Sequence, residues 1–187
     1  MAQLILDWRQ WGTSEAAGFF SKEYYANLEY PYRKKDADYE VLDELLLVKG
    51  VTRDIYERIL PYVTIYGEGK VNINTASGPV LAALGLDDDL VAKILSVRRG
   101  KDGVENTFDD HFFARTFDIA TEVQAAVKLD PAQVQAIDAL NVQGILTIDS
   151  FHFTLEAHGR LANSPANRKV RVVFLPRENR IAYWKER

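Results

Sequence analysis

Apolar positions along this chain change their period near residue 147. Before it they recur at spacings of three and four, as on one face of a helix; after it they recur at every second residue, as on one face of a strand. Within the helical part, Val71 and Ile73 alternate with Asn72 and Asn74, which predicts a short extended segment whose asparagine side chains bond the backbone and close a turn. Ser77 then stands as an N-cap, and Gly78-Pro79 puts a proline in the first helical turn, where its missing N–H costs little. Val80, Leu81 and Leu84 make an apolar stripe, Gly85 permits a tight reversal, and Leu90, Val91, Ile94 and Leu95 begin a second helix. The spacing predicts a compact helical hairpin over 71–99.

A weaker copy lies upstream over 40–61. Leu45, Val48 and Gly50 precede Val51, and apolar positions match at Val51/Leu86, Ile55/Leu90, Tyr56/Val91, Ile59/Ile94 and Leu60/Leu95, with Arg58 over Lys93. Both units resemble helix-hairpin-helix or SAM-like elements, and in tandem they predict one all-helical lobe from about residue 40 to about residue 100.

Such hairpins serve nucleic-acid binding or protein docking, and charge separates the two. A DNA-binding hairpin meets phosphates with backbone N–H groups of a Gly-x-Gly turn flanked by Lys or Arg. Here the second glycine is absent from both units, and Asp87, Asp88 and Asp89 follow Gly85. Each carboxylate about 6 Å from a phosphate would cost roughly 0.7 kcal/mol at the dielectric of water. At the start of the next helix the same group stabilises by about 0.3–1 kcal/mol. Helix capping wins on sign as well as size. With 23 basic and 27 acidic residues the net charge is −4, so no basic field exists to release counterions from a polyanion. Lys34-Lys35, Arg98-Arg99-Gly100-Lys101 and Arg168-Lys169 read as solvated loops and helix ends.

Elsewhere, Phe20, Tyr24 and Leu28 recur at helical spacing and predict a helix ending before Pro31, its aromatic stripe serving as core. Residues 100–118 read as an irregular connection anchored by Phe108, Phe112, Phe113 and Phe117. A helix starts after Asp130, with Pro131 in its first turn, and runs through Val134, Ile137 and Leu140. Phe151, Phe153, Leu155 and Ala157 alternate with polar residues, a loop fills 159–167, and 169–175 and 181–184 complete three antiparallel strands joined by hairpins. Such a sheet needs something over its apolar face, either a helix from 1–146 or one outside this chain.

Chemistry adds little. There is no cysteine, hence no disulfide framework or thiolate metal site, and redox arguments leave the compartment open. No run of 18 apolar residues occurs, and the N-terminus does not resemble a signal peptide. His152 and His158 are expected on one exposed strand face, too far apart to share a metal, and Ser150 has no orienting acid nearby in sequence. No His-Glu-x-x-His, phosphate-cradling loop or Gly-x-Ser-x-Gly is present, so no catalytic, cofactor-binding or metal-binding residue is assigned. Asp87, Asp88 and Asp89, and Asp102 with Glu105, Asp109 and Asp110, supply the hard donors calcium prefers, but neither group matches an EF-hand loop, and capping accounts for them better.

Taken in order, Leu4-Ile5-Leu6-Asp7-Trp8, Tyr24-Tyr25 and Tyr32, the stretch from Glu44 to Thr52 with Tyr56, Val71-Asn72-Ile73-Asn74-Thr75-Ala76, and the late Ser150-Phe151-His152-Phe153 with Tyr183-Trp184 resemble the minor pseudopilin K family of bacterial type II secretion. The resemblance implies an α+β chain: a truncated pilin-like fold with a C-terminal antiparallel sheet and a large inserted helical domain carrying the SAM-like or helix-hairpin-helix-like units. It places the helical domain at 13–146, with hairpins 40–61 and 71–99, and the sheet subdomain at 147–187 together with 1–12. It further implies a non-enzymatic subunit at the pseudopilus tip, at the periplasmic face of the inner membrane, in a complex with pseudopilins I and J. Its membrane link would be an N-terminal helix that this chain does not contain. Some members bind calcium, but Arg9-Gln10-Trp11-Gly12 stands where the family often has acids, so no ligand is carried over. The runner-up is a DNA receptor of the competence type, which shares the Asn-Ile-Asn-Thr-Ala element.

Overall fold

The computed structural model describes residues 1–9, 23–163 and 165–186. It contains helices α1 (Ala2–Arg9), α2 (Arg53–Ile59), α3 (Gly78–Ala83), α4 (Asp88–Arg98), α5 (Ile119–Ala126) and α6 (Pro131–Val142), and strands β1 (Val71–Asn72), β2 (Leu146–Thr147), β3 (Phe153–Arg160), β4 (Asn167–Leu175) and β5 (Arg180–Glu186). The chain divides into two compact units, 1–65 and 66–187. That boundary differs from the sequence reading, which joined 1–12 to the sheet and cut the chain at 146. Instead α1 packs within the first unit, while the 71–99 hairpin and the sheet fall within the second.

The first unit is built on aromatic residues. Trp8, Tyr25, Leu45, Val48, Val51 and Tyr56 form its core, with the Trp8 and Tyr25 rings edge to face at 5.4 Å. Tyr25, rather than the expected Tyr24, is the ring turned inward, because the helix seen at 23–26 stops before a second turn could align Tyr24 with Leu28. Phe20, which began that stripe, lies outside the described residues. The buried Tyr25 hydroxyl accepts from Lys49 N at 3.0 Å, and burial pushes its pKa up. Burial likewise pushes Tyr39 up to about 12, while its hydroxyl donates to Ile5 O at 3.0 Å.

The first arm of the upstream hairpin is a 3-10 helix, Leu42–Leu47, rather than an α-helix. Its tight start is fastened by Glu44, whose Oε1 accepts from Glu40 N at 2.8 Å and Val41 N at 3.1 Å and pairs with Lys35 at 2.9 Å. Partial burial opposes its charge, yet the Lys35 ammonium and the two N–H donors prevail and hold its pKa below the usual value. The repeat survives in its second arm. Gly50 and Gly85 occupy equivalent positions with φ of 82° and 90°, where side chains other than glycine's are strained. Each is followed at the same spacing by an N-cap: Thr52 Oγ1 accepts from Ile55 N, and Asp87 Oδ1 from Leu90 N.

The second unit packs Ile73, Leu81, Leu90, Ile94, Phe113, Ile119, Val123 and Ile137 into one core, each such side chain worth roughly 1.5–3 kcal/mol of transfer free energy. Helix α6 starts as expected: Asp130 Oδ1 accepts from Gln133 N at 2.9 Å, and Gln133 Oε1 from Asp130 N at 3.2 Å. The sheet runs β3-β4-β5, antiparallel throughout. β3 is shifted two residues later than expected and β4 starts earlier, leaving a loop of only 161–166, and β5 reaches Glu186. Phe153, Leu155, Val172 and Trp184 share one face by register. The expected dry face is nonetheless open on β3, with Phe153 and Leu155 about half exposed, whereas Val173 and Leu175, alternating to the other side, are buried.

Candidate docking surface

The hairpin of α3 and α4 is anchored by its two asparagines. Asn72 Oδ1 accepts from Asn74 N at 2.9 Å, closing the predicted turn, while Asn72 Nδ2 donates to Ser150 Oγ at 2.8 Å. Asn74 reaches further. Its Nδ2 donates to Phe113 O at 3.0 Å and its Oδ1 accepts from Phe113 N at 2.9 Å, so one amide side chain satisfies the backbone of a residue that is itself buried. Beside it, β1 and β2 pair in parallel, Val71 with Leu146 and Asn72 with Thr147. The backbone carbonyl of Ala76 accepts from the buried guanidinium of Arg98, whose pKa burial lowers.

The aspartates after Gly85 act as the sequence predicts. Asp87 caps α4, and Asp89 pairs with Lys93 at 2.6 Å and accepts from Gln133 Nε2 at 2.8 Å. The Lys93 ammonium holds the Asp89 pKa below the usual range. A strand of phosphates at this turn would meet two carboxylates in place of a basic cradle.

In 100–118 the four phenylalanines separate into one anchor and three exposed rings. Phe113 is buried; Phe112 and Phe117 are 67% and 76% exposed, and Phe108 is fully exposed. The loop before them is stiffened from within. Asp109 Oδ2 accepts from Lys101 N at 2.6 Å and Asp102 N at 3.1 Å, its Oδ1 accepts from Thr107 Oγ1 at 2.8 Å, and Asp110 Oδ2 accepts from Asn106 N at 2.6 Å. The Thr107 hydroxyl bond and these backbone donors keep the Asp109 carboxyl below its usual value. Of the acids considered as calcium donors, Asp87, Asp102, Asp109 and Asp110 serve the backbone while Asp89 and Glu105 pair with Lys93 and Arg99, and among the described residues no three carboxylate or imidazole groups converge on a metal position.

Two of the three histidines have a local role. His111 Nε2 lies 2.6 Å from Glu122, and His152 stacks on Tyr66 at 5.9 Å. The expectation that His152 shares a strand face with His158 is corrected, since β3 begins one residue later. Ser150 bonds Asn72, not a histidine. Among the described residues no helix is long and apolar enough to cross a membrane.

Comparison with known proteins agrees with this arrangement. Residues 1–68 match the family model described as Type II secretion system (T2SS), protein K. Two curated proteins named Type II secretion system protein K are similar: one of Pseudomonas aeruginosa, 38% identical over 84 residues, and one of Pectobacterium carotovorum subsp. carotovorum, 32% identical over 89 residues. The chain is thus similar to the type II secretion protein K family, and the family model's match lies in its first 68 residues. These alignments cover 44% and 45% of the chain but only 25% and 27% of the two proteins, so the matched stretch spans about a quarter of the relatives' length. The fold is similar to a chain of the GspK-GspI-GspJ complex of the enterotoxigenic Escherichia coli type 2 secretion system, with a TM-score of 0.56 at 14% identity, covering 89% of this chain and 55% of that one.

The two asparagines and the capped turns were readable from residue types alone. The exposure of Phe108, Phe112 and Phe117 was not, because the sequence shows four equivalent aromatics and only the Asn74 contact singles out Phe113.

A pH prediction follows from the aspartates. Asp89 and Asp109 have folded-state pKa values below the ordinary 3.8, so the folded unit binds fewer protons than the unfolded chain. Their contribution to stability is full above 3.8 and is lost as pH falls through and below it. Urea midpoints followed by circular dichroism are expected to drop in that window, and Asp89→Asn with Asp109→Asn to lessen the drop.

Proposed function

We propose that this chain is part of a minor pseudopilin of the type II secretion system that acts at the pseudopilus tip and does no chemistry of its own. The observation that carries this reading is the protein K match over residues 1–68. In it the C-terminal sheet belongs to a pilin-like body, and its open face, with Phe153, Leu155 and Trp184, is the side on which that body is completed. In this reading the helical residues form an inserted domain whose bulk would obstruct another subunit from stacking above it, which supports a position at the end of a filament. Its partners are minor pseudopilins of types I and J, as in the GspK-GspI-GspJ complex to which the similar fold belongs, and its place is the periplasmic face of the inner membrane. The role requires no cofactor.

Mixed at micromolar concentration with I and J homologues from the same bacterium, the chain is expected to co-elute with them as one complex. Separate elution of all three proteins would overturn the assignment. In the same buffer at low salt, duplex DNA is expected to show no mobility shift, since Asp87 and Asp89 occupy the turn that would have to meet phosphate.

A further inference from the structure

Phe108, Phe112 and Phe117 are the most exposed large rings on the second unit, and none is needed for its core. They stand on a scaffold held at both ends. Asp109 and Asp110 brace the backbone on one side; on the other, Asn141 Nδ2 donates to Thr116 O at 2.8 Å, tying the turn before Phe117 to the end of α6, where Val142 is also exposed. Three apolar rings kept in water on a braced loop form a surface fit for contact.

Charge identifies the kind of contact. Between Lys101 and Glu122 the chain has six carboxylates against only Lys101 and Arg115, a net of −4, which the neighbouring Arg98 and Arg99 offset at Glu105, with which they pair, leaving the segment acidic. Several of these carboxylates are hydrogen-bonded to backbone N–H groups, which leaves their charge in place, and Asp109 is held ionised by its donors. Such a field repels anionic lipid and nucleic acid alike. It attracts a cation that can lie over an aromatic ring while meeting a carboxylate, and a guanidinium does both. The protein uses the first of these contacts elsewhere, with Arg177 centred 4.0 Å from the Phe151 ring.

We propose that the loop from Val104 to Asp118 is a docking surface for a cationic amphipathic segment of another polypeptide, in which Arg or Lys lies on the same side as apolar residues. A second copy of this chain fits less well. On its sheet Lys169 and Arg171 both pair with Glu156 and face away from exposed Phe153 and Leu155, so cations and apolar groups are not offered together. The biological setting of this surface rests on the pseudopilin reading, but the chemistry of its partner does not.

The test is fluorescence anisotropy of the full chain with a labelled amphipathic peptide of Leu and Arg, alongside a charge-matched peptide of Gly and Arg. The Leu-Arg peptide is expected to bind about tenfold tighter or better than the Gly-Arg peptide, to weaken steeply with salt, and to lose about tenfold with Phe112→Ser and Phe117→Ser together. Both rings are exposed, so circular dichroism of that variant is expected to match the parent. Asp54→Asn with Glu57→Gln, on the first unit, is expected to leave binding unchanged. Equal binding of the two peptides, or indifference to the phenylalanine substitutions, would overturn the proposal. So would a Phe112-dependent dimer in sedimentation velocity, which would assign the surface to a second copy. Failure to co-elute with I and J homologues, with peptide binding intact, would instead sink only the pseudopilin setting.

Discussion

Phe113→Ala is expected to destabilise the second unit by about 3–5 kcal/mol, the range for removing a buried aromatic ring. The ring is 2% exposed and belongs to the same core as Ile73, Leu90, Ile94 and Ile119. Against a typical total of about 5–15 kcal/mol, that loss leaves the unit barely folded. Phe112→Ala, one residue away but exposed, is expected to change stability by no more than about 0.5 kcal/mol. Urea unfolding monitored by far-UV circular dichroism separates the two. Similar midpoints for both variants would show that Asn74 anchors this loop without the ring.

The second large effect is expected from Lys34→Ala in the first unit. Lys34 Nζ lies 2.8 Å from Asp36 and 3.3 Å from Asp7, and donates to Asp7 O at 3.0 Å, with both Lys34 and Asp7 almost fully buried. Burial works against the ammonium, but its bonds to Asp36 and Asp7 outweigh that and hold its pKa above the usual lysine value. Removing the ammonium leaves the Asp7 charge in a dry setting without it, at a cost of about 3–5 kcal/mol. Replacing both members, Asp7→Asn with Lys34→Met, is expected to recover part of the loss, because the buried Asp7 charge is then gone and only the less buried Asp36 keeps its own. Thermal unfolding of the single and double variants decides the point. A double variant no better than Lys34→Ala would mean that the pair matters for shape rather than charge.

Asp7 stood out in the sequence only as part of a family motif, and Lys34 not as its partner. Asp7 and Lys34 look like ordinary surface charges, and only the packing of α1 against Tyr25 and Tyr32 removes them from water. What was legible was local. The hairpin of α3 and α4, the Asp87 and Asp130 caps and the three strands of the sheet follow from periodicity and residue types a few positions apart. Helix α5 was missed, since Asp118 makes no capping bond to it and pairs with Arg115 instead. The 3-10 helix was hidden in the unbroken apolar run from Leu45 to Val48, which has no period to read. The pairing of β1 with β2 joins residues far apart in sequence, beyond the reach of any local pattern.

That short pairing also governs how the segment between its strands relates to its surroundings. Val71 and Leu146 are direct neighbours across it, so the chain enters and leaves the intervening helices through a single gap about 5 Å wide. A host fold has to open just one connection to receive such a module, and evolution can enlarge, trim or exchange it without rerouting the backbone on either side.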